Sequence, residues 1–284
     1  VILTRRKLIK VAAPALIGFA VPKIIRPAEA RFPHGTPFPS IPLSTSDSRF
    51  AANTSGGGGV GTNLTTGNVA NKFWSENPTY TDGTPCWSWS ITSGVLNVNQ
   101  SWVDWREGPR ITSSGGTMNI DQCFINCVGK TGDHADGAQW FGATGTSIVN
   151  FTNCCFRSYT DAEALSIYGA GFIGSDAIFF ADSSSGTVTF NNCLFWGGSR
   201  GVTIDCDTGT THVSCINSFW AMSPNHVPYA FSGAGGYGYL IQPTGGTLVI
   251  DAWSNNFDAT VSGGVITPFN LIPNPTSVGN EWGQ

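Results

Sequence analysis

Six stretches of this chain share one short pattern, and no other feature restricts the fold as much. Each is a β-rich run followed by a polar residue, a small residue and an apolar or aromatic pair. They occupy residues 95–102, 118–125, 149–156, 188–195, 213–220 and, less regularly, 253–257. Gln122, Asn153, Asn192, Asn217 and Asn255 fall at one position of the pattern, and Cys123, Cys154, Cys193, Ser218 and Asn256 fall at the next. Self-similarity of this kind is the signature of stacked supersecondary units. In a parallel β-helix, equivalent residues of successive coils lie about 4.8 Å apart. A column of Asn amides can then hydrogen-bond along the stack at a bend facing the interior. Small thiols beside it fill the interior at no polar cost. The register predicts an all-β chain, a right-handed parallel β-helix (solenoid) with an Asn/Cys ladder.

The ladder positions are separated by 31, 39, 25 and 38 residues. Most coils therefore carry insertions, which in repeat folds gather on one face, often the binding face. Composition agrees with many short strands and tight turns: 36 Gly, only 11% charged residues, and abundant Asn, Thr and Ser among 284 residues.

Residues 1–30 read as an address. Thr4-Arg5-Arg6-Lys7-Leu8-Ile9-Lys10 resembles a twin-arginine export motif. An apolar run over 11–21 follows, and Ala28-Glu29-Ala30 offers a cleavage site. That run is about half the ~20 residues a spanning helix needs, so a cleaved signal is expected rather than a membrane anchor. The implied location is the periplasm or outside a bacterial cell. Residues 31–60 form a Pro/Gly-rich leader, extended up to the Ser55–Gly59 joint, and 61–284 hold the β-helix and a C-terminal tail. The leader is expected to cover the first coil.

Residues 1–30 also hold six of the fourteen basic side chains. The remainder has eight basic and seventeen acidic groups, a net charge of −9. That balance argues against nucleic acid and anionic membranes as partners. It leaves an acidic polysaccharide open, through a local Arg/Lys patch or a bound Ca²⁺. A monomer acting on polysaccharide is the expected form.

Exported proteins can hold disulfides. Side chains in one column point the same way, a poor geometry for bridging, so Cys123, Cys154 and Cys193 are expected as buried free thiols. Cys206 and Cys215 are the better candidates for a bridge. No cysteine spacing matches a zinc site.

The densest chemistry lies in residues 130–140, where Lys130, Asp133, His134, Asp136 and Gln139 crowd together. Asp136 precedes Asn153 by 17 residues, and Arg200 precedes Asn217 by 17; each is followed by Gly and a β run. Two segments compete for the coil between them. Residues 161–169 match 134–142 residue for residue and would supply Glu163, with Asp161 alongside. Residues 174–180 match by distance to Asn192 and would supply Asp176. Tyr237 continues the column. Carboxylates on neighbouring coils would lie about 5 Å apart and two coils apart about 10 Å, bracketing the separations used by glycosidases. Close like charges also raise one pKa, as a general acid needs. The same column read blandly is an ion-pair ladder on a solvated β face. Lys130, Arg157, Asp161, Tyr168 and Tyr237 are the candidate substrate contacts, although Lys130, Asp133 and Arg157 also fit ordinary surface charges. Trp140, Trp196 and Trp220 would suit sugar stacking if they face outward, or core packing if inward. Asp205, Asp207 and His212 read as a polar turn before a Ca²⁺ or acid/base site.

The Asn register over roughly residues 85–260 resembles that of the pectate-lyase and polygalacturonase superfamily. The resemblance implies a parallel β-helix and action on polysaccharide. The polygalacturonase Asp pair, Gly-His-Gly and Arg-x-Lys are absent, and pectate-lyase Arg signatures are unmatched. His134-Ala135-Asp136-Gly137-Ala138-Gln139 is similar to a motif of exported bacterial β-helix proteins of the wider carbohydrate-active group. Lyase-like cleavage of a uronate-containing glycan is the leading expectation, with His134, Lys130, Arg157 and Arg200 as base and neutralising groups. The alternatives are a glycoside hydrolase using Asp136 with Glu163 or Asp176, and a non-catalytic glycan-binding or adhesion solenoid.

Overall fold

Within each repeat, apolar and polar residues alternate, and that alternation builds the sheets. The computed structural model describes residues 41–57, 62–76, 79–80, 84–132, 135–142, 144–181, 183–198, 201–221, 239–272 and 274–275. All belong to one compact unit, Pro37–Gln284. The signal-like residues 1–30, and Asp133, His134, Arg200 and Tyr237, lie outside the described residues. Among the described residues, strands form sheets of nine, seven and six members and a small two-stranded one.

The chain visits the three large sheets in a fixed rotation. Thr117–Asp121 lies in the seven-stranded sheet, Phe124–Cys127 in the nine-stranded and Asp136–Trp140 in the six-stranded. The next circuit runs Ile148–Thr152, Cys155–Ser158, Asp176–Phe180, and the one after it Gly186–Asn191, Leu194–Gly197, Val202–Cys206. Each strand pairs in parallel with its counterpart one circuit away. The result is a set of stacked, mostly parallel sheets, compatible with a parallel β-helix. An antiparallel pair, Phe257–Ser262 with Val265–Leu271, ends the nine-stranded sheet. At its other end, Thr54–Ser55 pairs with Lys72–Ser75, and Gly56 donates its N–H to Phe73 O, so this part of the expected joint is held in the sheet.

The pairing register is the one the repeats predict. Met118, Val149, Val188 and Val213 are neighbours in one row, and Ile120, Phe151, Phe190 and Cys215 in another. Every one of these side chains is buried. Identical residues in adjacent circuits stack: Phe151 on Phe190 at 5.5 Å and 5°, Phe156 on Phe195 at 5.7 Å and 11°. Each aromatic buries a large apolar area, and the stack adds about 0.5–1.5 kcal/mol per pair beyond that area. The nine-stranded sheet is covered on both faces: Ile125, Phe156 and Phe195 alternate with Phe124, Cys155 and Leu194, all buried.

The first connection from the seven- to the nine-stranded sheet is the single left-handed Asn71 at φ 54°, and the later ones are alike. Two residues make the corner at 100–101, 122–123, 153–154, 192–193, 217–218 and 255–256. The first is always left-handed: Gln100, Gln122, Asn153, Asn192, Asn217 and Asn255 have φ between 48° and 55°. Asn tolerates this conformation better than most non-Gly residues. Its N–H donates to the residue before the next corner, as in Asn153 N to Asn191 O at 3.0 Å and Asn192 N to Ile216 O at 3.0 Å. Its amide reaches along the stack: Asn192 Nδ2 donates to Asn153 Oδ1 at 2.8 Å, and Asn255 Nδ2 to Asn217 Oδ1 at 3.1 Å. The bend faces the interior only in part: Asn192 is buried. Gln122, Asn153 and Asn217 are half-buried and Asn255 is exposed, while the following Cys123, Cys154, Cys193 and Ser218 are buried. A second amide row was not anticipated. Asn97 donates to Asn68, Asn119 to Asn97 and Asn150 to Asn119, at 2.8–2.9 Å, each three residues before a corner residue.

All eight cysteines are free and buried. The expected Cys206–Cys215 bridge is absent: the Cys206 thiol lies 3.2 Å from Thr247 O instead. Among the described residues, no helix is long and apolar enough to cross a membrane.

Candidate functional site

The other edge of the nine-stranded sheet has no constant corner. Residues 106–109, 128–135, 159–175 and 198–201 connect it to the six-stranded sheet, and their lengths differ widely. The predicted chemistry lies along this edge. Asp136 pairs in register with Asp176, so the measure of distance to the Asn position selects Asp176 over Glu163.

Glu163 is not in that column. It lies in a helix, α1 (Asp161–Tyr168), within the longest described connection. Thr160 and Glu163 form a capping box: Thr160 Oγ1 accepts from Glu163 N at 3.2 Å, and Glu163 Oε2 accepts from Thr160 N at 2.9 Å. This arrangement satisfies two donors that a helix start otherwise leaves unpaired. Asp161 Oδ1 accepts from Gly174 N at 2.7 Å and ties off the far end of the insertion. The residue-for-residue match with 134–142 was therefore between a strand and a helix.

Three of the candidate substrate contacts meet around this insertion. Arg157 lies 3.7 Å from Glu163 and against the rings of Tyr159 and Trp196. Tyr168 O–H donates to Tyr159 at 3.0 Å. Tyr159 and Asn126 continue this network to Asp104, which also accepts from Tyr80 at 2.7 Å. Lys130 donates to Thr79 O at 2.9 Å and caps the ring of Phe172. Trp140 and Trp220 are core residues, whereas Trp196 is half-buried against Arg157. Asp207 accepts from Ser183 N, and His212 pairs with Asp251 at 3.2 Å, so Asp207 and His212 do not converge on one site.

The structure adds a carboxylate to the column. Gln139 pairs with Arg110, which places Glu107 one circuit before Asp136. The signal was readable: Glu107-Gly108 precedes Gln122 by nearly the distance that separates Asp136-Gly137 from Asn153. The glycines have a steric cause. A Cβ on Gly108 would lie 1.9 Å from Gly137 O, and one on Gly137 would lie 2.5 Å from Ala177 O.

Glu107 is 5% exposed and Asp136 2%, whereas Asp176 is half-buried. Burial raises the Glu107 carboxyl to about 7. The charge of Asp136 adds to the rise, and Arg110 and Arg106 oppose it. Arg110 Nη2 donates to both Glu107 oxygens at 2.7 and 2.8 Å, and Arg110 Nε donates to Gln139 Oε1 at 3.0 Å. Burial pushes the Cys127 thiol up, a hydrogen bond with Ser175 opposes the rise, and Asp136, Asp176 and Glu107 add to it. Among the described residues, no group of three or more His, Cys, Asp or Glu could hold a metal ion.

No protein-family model, curated protein or solved structure matches the chain.

Proposed function

We propose that this chain is an exported polysaccharide-degrading enzyme on a right-handed parallel β-helix with an Asn/Cys ladder. The fold reading draws support from the rotation of the chain through three parallel sheets, because parallel crossovers are right-handed almost without exception. Export draws support from the Arg5-Arg6 signal and its apolar run.

The observation that carries the activity is the pairing of Asp136 with Asp176 beside Glu107. Neighbouring parallel strands put such carboxyls roughly 5 Å apart, the range of retaining glycosidases. Asp176, the most accessible, gives its proton to the glycosidic oxygen as the acid, the ionised Asp136 takes the anomeric carbon as that bond breaks, and water then releases the sugar from it. The neighbouring Glu107 keeps a proton in the cluster, because close buried carboxyls cannot all ionise cheaply. Of the groups that elimination would use, the two among the described residues are already engaged, which is what favours hydrolysis. Lys130 is engaged with Thr79 and Phe172, and Arg157 with Glu163 and two aromatic rings.

The test is release of reducing ends from a panel of neutral and acidic glycans. Asp176→Asn should lower kcat/KM roughly 100- to 10,000-fold, the usual weight of a general acid, with the melting temperature unchanged. Products absorbing as unsaturated uronates would replace hydrolysis by lyase action. Binding without turnover on every glycan would leave only an adhesion solenoid.

A further inference from the structure

The corners from 100–101 to 217–218 carry a side-chain donor at their second residue. Ser101 Oγ donates to Asn99 O at 2.9 Å, and Ser218 Oγ to Ile216 O at 3.0 Å. Cys123 and Cys154 do the same with their thiols, to Asp121 O at 3.2 Å and Thr152 O at 3.1 Å. Cys193 Sγ lies 3.5 Å from Phe151 O and 3.7 Å from Asn191 O. A cysteine in a disulfide has no S–H to give, so these corners are built for the reduced form. The other cysteines are enclosed as fully. Cys155 stands between Phe124 and Leu194, Cys215 beside Phe190, and the Cys206 thiol against Thr247 O. None of the eight is more than 3% exposed, and none is bridged. The unfolded chain is the opposite case. Cys154 and Cys155 are adjacent in sequence, Cys123 and Cys127 are four residues apart, and Cys206 and Cys215 nine. Eight accessible thiols can pair in on the order of a hundred ways, and the native fold uses none of them.

We propose that the interior thiols make folding a redox gate: the chain reaches its native state only while reduced, and folding is complete before it meets an oxidising compartment. The inference rests on the proposed export, because it is exported chains that meet such a compartment. A bridge forms in two exchanges. One cysteine thiolate attacks a small disulfide such as oxidised glutathione and releases one glutathione thiol. A second cysteine then displaces the other glutathione. Two protein thiols thereby lose two protons and two electrons, and the glutathione disulfide gains them. In the unfolded chain nothing hinders these steps. A bridge made there strips a corner of its donor, or ties together strands that the fold keeps in different sheets, as Cys155, Cys206 and Cys215 are. In the folded chain the same reaction is closed. Burial keeps the oxidant out and pushes the thiols of Cys127, Cys155 and Cys193 up, so few thiolates form. Column neighbours such as Cys123 and Cys154 point the same way and cannot bridge without moving the backbone. The gate therefore works in one direction, and the chain that crosses the membrane is the folded one.

Two measurements on the full chain test this. In the first, the reduced chain is unfolded in guanidinium and refolded with dithiothreitol or with oxidised glutathione. Dithiothreitol should restore the cooperative melting transition. Oxidised glutathione should lower the native yield roughly tenfold or more, since no pairing is native, and later reduction should recover it. Once folded, the chain should keep all eight thiols in the same oxidant, counted with a maleimide after denaturation. The triple variant Cys123→Ser, Cys154→Ser and Cys193→Ser keeps the corner donor, as Ser101 and Ser218 do, and should lose part of the sensitivity. Full native yield in oxidised glutathione would overturn the gate, as would rapid oxidation of the folded chain. In the second, a bacterium makes the chain behind residues 1–30 or behind a leader that delivers unfolded chains. The first should export native protein with free thiols. The second should yield cross-linked protein, rescued where the compartment lacks its thiol oxidase. Equal native yields from both leaders would overturn folding before export. Failure of the export reading is seen separately: if residues 1–30 carry nothing out, that reading falls, and the refolding result alone decides the gate.

Discussion

The two edges of the nine-stranded sheet differ in kind. On one edge, every repeat after the first crosses with the same two-residue pattern, a left-handed Asn or Gln and then a small buried residue. On the other, the crossing is 106–109 in one repeat and 159–175, with a whole helix, in another. The constant edge binds each repeat to the next by backbone and amide hydrogen bonds. The variable edge collects the carboxylates, the cations and α1. Regularity thus marks what specifies the fold, and irregularity marks what can carry chemistry.

The largest effect should come from the core just behind the constant edge. Phe190 stacks on Phe151 at 5.5 Å and meets Phe195 edge-on at 5.3 Å. Phe190→Ala should cost about 4 kcal/mol in urea unfolding, as buried aromatic truncations do. A loss below about 1 kcal/mol would mean that the stack closes over the gap and is not what aligns the repeats. Next comes the corner itself. Asn153→Val forces a β-branched residue into φ 53° and removes bonds to Asp121 and from Asn192. Its cost should be about 2–3 kcal/mol, whereas Asn153→Gly, which keeps the conformation, should cost about 1. Equal losses would show that the amide bonds matter and the left-handed backbone does not.

The variable edge should reveal itself through pH. Glu107 has its carboxyl raised from 4.5 to about 7. Between those values the folded protein holds a proton that the unfolded chain releases. The contribution to stability is complete below about pH 4.5 and is lost as pH rises through about 7. The swing should be on the order of 3 kcal/mol. Comparing melting curves of the parent and Glu107→Gln across this window isolates it. If the two respond to pH alike, the buried carboxyl does not titrate there.

The same contrast explains what could be read in advance. The register of 118–125, 149–156, 188–195 and 213–220 was legible because a column forces similar residues into every repeat. Asp136 and Asp176 were legible through their distance to that column. Glu163 misled because α1 has a strand-like run of alternating residues, yet Thr160-x-x-Glu163 was a helix-start signal in plain view. Glu107 was missed because its pairing partner is set by Arg110 and Gln139, and a shorter approach to Gln122 hid the match. The second amide row through Asn97, Asn119 and Asn150 was present in the repeats but overshadowed by the stronger one.

The constant corner has a consequence for how such a chain can change over generations. Because each repeat is registered at one edge, a loop lengthened at the other leaves the pairing of its neighbours intact. Closing a longer loop costs little, roughly 0.6 kcal/mol for each doubling of its length. New contours can therefore accumulate along one margin while the scaffold at the other keeps its register, and variation in form is separated from the risk of not folding.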